Sequence, residues 1–181
     1  MKLALSLVAA ASCLSTTLAD HHKALEKIVA PGTKVEKLGG DMVFTEGPVW
    51  IPAQKMVVFS DIPNSRQMKW TKEGGLKEYR KVEQSNGNLL DLEGNLLSCQ
   101  HGGRNIVSMN PRGAVTVLAD KFEGKKFNSP NDLAIRADGT IWFTDPSYGL
   151  RGRPAEVSGK WVYKLEPKSG KVSVLYKGHD M

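Results

Sequence analysis

The chain has 181 residues, of which 40% are hydrophobic and 24% are charged, and its formal net charge is +6. This composition excludes a disordered chain and a protein built from membrane-spanning segments, and it allows one globular domain of ordinary size. The basic residues are scattered in short clusters, so we expect a solvated surface and no nucleic-acid partner.

The first 19 residues have the layout of a secretory signal peptide. A charged start at Lys2 is followed by the apolar run 3–11, a polar stretch and a small-residue exit that ends at Ala19. The apolar run is too short to span a bilayer. We therefore predict cleavage near Ala19, an exported mature protein and no membrane attachment after cleavage. Lipid attachment at Cys13 is the less favoured alternative.

The segment 20–34 is predicted to be a leader in front of the folded domain. Within it, the pattern over 22–30 favours a short helix that ends before Pro31. After cleavage of the signal peptide, Cys99 would be the one remaining cysteine, which excludes an intramolecular disulfide. It lies in an apolar string, so we expect a buried structural thiol rather than a nucleophile.

From residue 35 onward, short strands of β-branched and aromatic residues alternate with turns of glycine, asparagine and aspartate. The strands repeat in groups of four, and the second strand of each group ends at Asp61, Gln100 or Asp145, spacings of 39 and 45 residues. This is the period of four-stranded propeller blades. We therefore predict an all-β fold with about three blades in 35–181, and a β-sandwich is the alternative. Because a propeller usually needs about four to eight blades to close, we expect this domain to be incomplete.

Polar residues recur at the same position of each repeat, where its first strand begins. They are Glu46 in the first repeat, Ser85, Asn86 and Asn88 in the second, and Asn131 and Asp132 in the third. In a propeller, these positions converge on one mouth of the central channel. A carboxylate together with carboxamide oxygens suits a hard cation such as Ca²⁺ or Mg²⁺, whereas the spacing typical of zinc ligands is absent. The alternative is that the asparagines only form turns.

His101 follows the second strand of the second repeat, in the segment QHGGR. Histidine can act as a general base near neutral pH, although most single loop histidines are surface groups. The sequence contains no G-x-S-x-G elbow, no P-loop and no G-x-G-x-x-G fingerprint, so it gives no support to those hydrolase and nucleotide-binding mechanisms.

Five segments, taken in order, resemble the senescence marker protein and gluconolactonase family. They are TEGPVW at 45–50, FSDIP at 59–63, CQHG at 99–102, SPNDL at 129–133 and DGTIWFTDP at 138–146. The resemblance covers the chain from about residue 35 to its end. It implies a six-bladed propeller that binds one divalent metal ion, often calcium, in its channel and hydrolyses a small-molecule lactone.

The resemblance also implies roles for particular residues. Glu46 corresponds to the family's first metal ligand, and Asn131 to an asparagine that contacts the substrate or the metal. Ser129 falls near a substrate-contacting position that is arginine in some members, and Asp132 is expected to support Asn131. His101 aligns loosely with a histidine proposed as the base in paraoxonase-type lactonases. Ca²⁺ is the favoured ion, with Mg²⁺, Mn²⁺ and Zn²⁺ left open.

The family's next metal-binding asparagine, in a P-N-G motif, and its acid/base aspartate are not present among the 181 residues. We therefore expect this stretch by itself to bind calcium weakly and to be inactive, and the missing aspartate is the alternative to His101 as the base. The implied function is metal-assisted lactone hydrolysis. A non-catalytic propeller scaffold and a strictosidine-synthase-like propeller enzyme are the alternatives. The insertion at 146–160 is the expected lid.

Overall fold

A computed structural model describes residues 27–178. The chain divides into two units, residues 1–37 and 38–181. In the first unit, residues 27–30 form a turn, and the amide and hydroxyl of Thr33 both donate to the Ala30 carbonyl, at 3.1 and 2.7 Å. The helix predicted over 22–30 is therefore wrong for residues 27–30, the part of it that the structure describes. The predicted signal peptide and Cys13 lie outside the described residues. No helix among residues 27–178 is long and apolar enough to cross a membrane.

Three four-stranded antiparallel sheets make up most of the described second unit. The first sheet contains β1 (Thr45–Ile51), β2 (Met56–Asp61), β3 (Arg66–Thr71) and β4 (Gly75–Lys81). The second contains β5 (Ser85–Leu90), β6 (Leu96–Gln100), β7 (Asn105–Met109) and β8 (Val115–Ala119). After the short hairpin of β9 (Lys121–Phe122) and β10 (Lys125–Lys126), the third contains β11 (Leu133–Ile135), β12 (Ile141–Asp145), β13 (Lys160–Glu166) and β14 (Lys171–Gly178).

Each sheet is a simple meander, because its strands are hydrogen-bonded in chain order. The second strands end at Asp61, Gln100 and Asp145, as the repeat predicted. The first strands of the three sheets are neighbours, with β1 against β5 and β5 against β11, as the innermost strands of a propeller are. The predicted all-β fold with three propeller blades is confirmed.

Two apolar clusters join the blades. One, between the first and second blades, contains Ile51, Met56, Val58, Leu96 and Met109. The other, between the second and third, contains Leu97, Cys99, Ile106, Ala119, Phe127, Ile141, Phe143, Tyr163 and Leu165. Along β12 the side chains alternate between buried and exposed, because successive residues of a strand point to opposite faces. Each blade therefore buries a face against its neighbour, and this fixes the angle between them.

The thiol of Cys99 is fully buried in the second cluster. Burial raises its pKa well above the ordinary value, because a thiolate would have no water around it. The side chain therefore acts as a small apolar core group, as its apolar sequence context indicated.

Glycines allow the first strands to approach each other closely at one end. Gly47 has φ of +60°, and a Cβ there would lie 2.4 Å from the carbonyl oxygen of Asn86. A Cβ at Gly87 would lie 2.8 Å from the carbonyl oxygen of Asn131, which accepts the Gly87 amide at 2.8 Å. Side chains at these two positions would push the blades apart. The glycines therefore bring Glu46, Asn86 and Asn131 to the same end of the three blades.

Candidate functional site

A cavity of about 420 Å³ opens at the end of the blades where the first strands begin. Its lining comes from all three blades: Phe44, Glu46, Ile62, Pro63, Asn86, His101, Asn131, Tyr148, Gly149 and Arg151. The volume is in the range of pockets that hold small molecules. Four of the residues singled out from the sequence, Glu46, Asn86, His101 and Asn131, thus meet in one cavity.

A larger cleft of about 680 Å³ lies between the second and third blades at their opposite end. Three of its four carboxylates are already used by local structure. Asp91 accepts backbone amides of its own turn, Asp138 accepts the amide of Thr140 at 2.9 Å, and Glu166 pairs with Lys164 at 2.8 Å. These groups stabilise turns and strand ends, so we assign the chemistry to the smaller cavity.

Two buried aspartates hold the segments that lead into the first strands. Asp61 accepts the amides of Val43 and Phe44 at 3.1 and 3.4 Å. Asp145 accepts the amides of Asn128 and Ser129 at 2.9 and 2.7 Å. Both are the last residues of second strands, which explains why the repeat ends there in a polar residue. They place the backbone that leads into β1 and β11, where Glu46 and Asn131 are carried.

Three side chains that line the cavity have oxygen atoms without a hydrogen-bond partner among residues 27–178. The carboxylate of Glu46 is exposed and forms no hydrogen bond or ion pair with the residues of 27–178. The side-chain oxygens of Asn86 and Asn131 likewise accept no hydrogen bond within that range. The amide nitrogens of the two asparagines lie 3.1 and 3.5 Å from the imidazole of His101, which assigns the opposite ends of the two side chains as oxygens.

This oxygen set fits part of a site for a hard cation. Ca²⁺ takes about six to eight oxygen ligands, and carboxylate and carboxamide oxygens are the types it prefers. Glu46, Asn86 and Asn131 supply three such groups that line one cavity. In the described part of the chain, no three His, Cys, Asp or Glu side chains come together as a metal-binding group. The set is therefore a partial site dominated by neutral oxygens.

His101 is held from several sides. Its amide donates to the carbonyl of Gln84 at 2.9 Å, and the carboxamide nitrogen of Asn86 lies 3.1 Å from its Nε2. With Asn86 donating, Nε2 is the unprotonated ring nitrogen and Nδ1 carries the hydrogen. The ring of Tyr148 meets the imidazole edge-on, with 6.5 Å between centroids. In this arrangement the lone pair of Nε2 faces the Asn86 amide.

His101 is 5% exposed, and burial is the main reason why the pKa of its imidazole falls to about 4. The positive charges of Arg151 and Arg153 lower the pKa further. At neutral pH the ring is therefore uncharged, with a lone pair at Nε2. It can accept a proton, although the low pKa makes it a weak base.

The insertion predicted at 146–160 forms the long loop between β12 and β13, with a 3₁₀ turn at Tyr148–Leu150. Arg153 ties this loop to the segment after β6. Its guanidinium donates to the carbonyls of His101 and Gly102 at 2.6 and 2.8 Å, and to those of Gly149 and Leu150 at 3.2 and 3.0 Å. The predicted lid is thereby docked beside the imidazole.

Ser129 and Asp132 do not line the cavity. Ser129 is fully buried, and its hydroxyl donates to the carbonyl of Pro146 and accepts the amide of Gly149 at 3.0 Å. Asp132 is exposed, and its carboxylate accepts the amide of the next residue, Leu133, at 2.9 Å. In this geometry both support the loops around Asn131. Their contact with a substrate stays a prediction.

Several features of the site were not predicted from the sequence. Asn86 was a candidate oxygen donor from its repeat position, with a turn as the alternative, but nothing in the sequence indicated its contact with His101, 15 residues away. Tyr148, Arg151 and Arg153 belong to the insertion, which has no counterpart in the other two repeats. The irregular loop carried no periodic signal from which their placement could be predicted.

Comparison with known proteins supports the same family as the motifs. The family described as the SMP-30/Gluconolactonase/LRE-like region matches residues 44–181. A gluconolactonase of Zymomonas mobilis subsp. mobilis is 30% identical over 173 residues, which cover 85% of this chain and 48% of that protein. A solved gluconolactonase structure from Xanthomonas campestris is 34% identical with a TM-score of 0.70, covering 75% of this chain and 48% of that one.

A calcium-binding regucalcin from Agrobacterium tumefaciens is 19% identical, with a TM-score of 0.57 over 75% of this chain and 44% of that one. At this identity the likeness supports the fold alone. The chain spans about half the length of the relatives that it matches. The family match, the propeller blades and the converging motifs agree, and the chain therefore belongs to the SMP-30/gluconolactonase/LRE-like family.

Proposed function

We propose that the protein is an exported, metal-dependent lactonase that opens a sugar lactone or a related lactone by attack of water on the ring carbonyl. The observation that carries the proposal is the convergence of Glu46, Asn86, Asn131 and the neutral imidazole of His101 on one cavity. Support for the substrate class comes from the similar proteins, which are named as gluconolactonases.

We assign the metal-binding role to Glu46 and Asn131, with Asn86 as a neighbouring oxygen donor. When bound, a divalent cation would supply a Lewis acid for the lactone carbonyl. Ca²⁺ is the proposed ion, because the donors are hard carboxylate and carboxamide oxygens. Mg²⁺, Mn²⁺ and Zn²⁺ are the alternatives for reconstitution experiments.

His101 is the proposed base. For Nε2 to accept a proton from water as the water oxygen bonds to the carbonyl carbon, the water must replace the Asn86 amide at the one lone pair of this nitrogen. The bond between that carbon and the ring oxygen then breaks, and the proton passes to the departing oxygen, which gives a hydroxy acid. Before this exchange, the amide nitrogens of Asn86 and Asn131 lie 3.1 and 3.5 Å from Nε2 and orient the neutral imidazole. Because the low pKa limits its strength, an aspartate outside these residues is the alternative base.

The test is lactone hydrolysis by the intact protein, measured as acid release from glucono-1,5-lactone. We expect a chelator to abolish activity and added Ca²⁺ to restore it. Glu46→Gln keeps the shape of the side chain but removes its charge, and we expect activity to fall at least 100-fold. Glu93→Gln removes a carboxylate from an exposed turn at the opposite end of the second blade, and it should leave activity unchanged. Activity indifferent to both the chelator and Glu46→Gln would refute the metal mechanism, whereas a wild-type protein that hydrolyses no lactone would favour the scaffold alternative.

Two further parts of the proposal have separate tests. For export, N-terminal sequencing of the mature protein should begin near Asp20. For the metal site, calorimetric titration of a polypeptide limited to these 181 residues should show weak calcium binding, because three oxygen-donating side chains are fewer than the ion requires. Tight binding by this polypeptide would contradict the second expectation.

A further inference from the structure

Three arginines lie near the cavity end of the third blade, and two of them are engaged by the protein. Arg153 donates to four backbone carbonyls. Arg104 donates to the carbonyl of Phe127 and pairs with Glu156 at 3.2 Å. Arg151 lines the cavity, and its guanidinium forms no hydrogen bond or ion pair with any residue of 27–178. Its donors are therefore available to a bound molecule.

The charges of the residues that line the cavity indicate what kind of group the Arg151 guanidinium can bind. Among the ten lining residues, Glu46 is the one carboxylate. If Glu46 holds a cation, as the proposed function requires, the charge of Arg151 has no counter-charge in the cavity wall. An anionic group of a ligand would supply that counter-charge.

The position of Arg151 suits contact with a part of the ligand away from the reacting carbonyl. Glu46 belongs to β1 of the first blade, whereas Arg151 follows the 3₁₀ turn in the loop between β12 and β13. One molecule in the 420 Å³ cavity can therefore meet both walls. A guanidinium can bind a carboxylate or a phosphate with two parallel hydrogen bonds, which makes it selective for these groups.

We propose that Arg151 is a specificity-determining residue that binds a carboxylate or phosphate carried by the lactone substrate. This inference rests on the proposed lactonase function and narrows its substrate class to anionic lactones. The loop that carries Arg151 is docked by Arg153, so the guanidinium is presented from a fixed segment. The reaction at the carbonyl is unchanged, and the selectivity arises from ground-state binding of the distal anion.

The experiment compares three lactones with the intact protein: neutral glucono-1,5-lactone, glucaro-1,4-lactone with a free carboxylate, and 6-phosphoglucono-1,5-lactone. The variants are Arg151→Gln, which removes the charge, and Arg151→Lys, which keeps it. Arg112→Gln, in the exposed turn between β7 and β8 at the opposite end of the blade, is the matched control. The two anionic substrates show whether the site takes a carboxylate or a phosphate.

We expect Arg151→Gln to lower the ratio of anionic to neutral kcat/KM at least tenfold, mainly through KM, while Arg151→Lys keeps most of the ratio and Arg112→Gln all of it. The preference should also weaken as ionic strength rises. If the neutral lactone is hydrolysed and the ratio does not respond to Arg151→Gln, the inference is overturned and the lactonase function stands.

A binding measurement separates the inference from the reaction. Glucitol and glucitol 6-phosphate contain no lactone, and they differ by one anionic group. We expect glucitol 6-phosphate to bind more tightly, with at least a tenfold loss of this preference in Arg151→Gln. If no lactone is hydrolysed but this preference is present, the anion site stands and the lactonase function fails. Equal binding of the two compounds by the wild type would overturn the anion site.

Discussion

Replacement of Arg153 tests whether the docked insertion is part of the catalytic arrangement. Its guanidinium donates two hydrogen bonds to carbonyls of the loop after β6, those of His101 and Gly102, at 2.6 and 2.8 Å. Hydrogen bonds from a charged donor contribute about 1.5–3 kcal/mol each. Because the side chain is half-buried, we take the lower end, so the two bonds between the loops contribute about 3 kcal/mol. Loss of that amount would reduce the ratio of docked to undocked loop about 100-fold.

We therefore expect Arg153→Gln to lower kcat/KM for a lactone by 10- to 100-fold and to speed proteolytic cleavage within residues 146–159. The denaturation midpoint should fall as well, because about 3 kcal/mol is a large part of the stability of a typical domain. The folded blades should stay intact, because the apolar clusters between them do not involve this side chain. Arg136→Gln, which removes an exposed guanidinium from a turn at the other end of the third blade, is the control. Unchanged kcat/KM and unchanged proteolysis in Arg153→Gln would refute the docking role.

Three further changes test the packing beneath the site. Burial raises the pKa of Asp145 to about 6, so its contribution to stability is complete below its ordinary value of 3.8 and is lost as pH rises through 6. Relative to Asp145→Asn, the free energy of unfolding should fall by about 2–2.5 kcal/mol between pH 4 and pH 8 in urea titrations, and a pH-independent difference would contradict this. Gly149→Ala should lower kcat/KM more than tenfold, since its Cβ would lie 2.6 Å from Nδ1 of His101, and normal activity would show that the loop can shift at no cost. Phe143→Ala should cost about 3–5 kcal/mol by calorimetry, because its ring is buried between Phe127 and Tyr163, and a loss below 1 kcal/mol would be inconsistent with that packing.

The fold could be predicted from local patterns. Strand alternation and glycine turns are properties of short segments. The spacing between Asp61, Gln100 and Asp145 equals the number of residues in one blade. The helix predicted over 22–30 fails at its described end, where residues 27–30 form a turn. A short segment has too few hydrogen bonds to stabilise a helix from its pattern alone.

The part of the candidate site that lies at equivalent positions of the repeats could be predicted from the sequence. Glu46, Asn86 and Asn131 occupy equivalent positions, and propeller symmetry brings equivalent positions together. The sequence by itself therefore determined the blades and which strand beginnings would meet. It could not show that Asp61 and Asp145 fix those strands by accepting backbone amides, since these contacts join residues 16 to 18 positions apart.

Only the tertiary structure shows which residues line the cavity opposite Glu46, Asn86 and Asn131. The loop between β12 and β13 has no periodicity, and only its folded path brings Arg153 to the carbonyl of His101, 52 residues away, and places Arg151 in the cavity wall. The state of His101 depends equally on that path, because burial and the two arginine charges lower its pKa. Repetition in a sequence specifies equivalent backbone positions, whereas desolvation and charge act through space and require the whole arrangement of the chain.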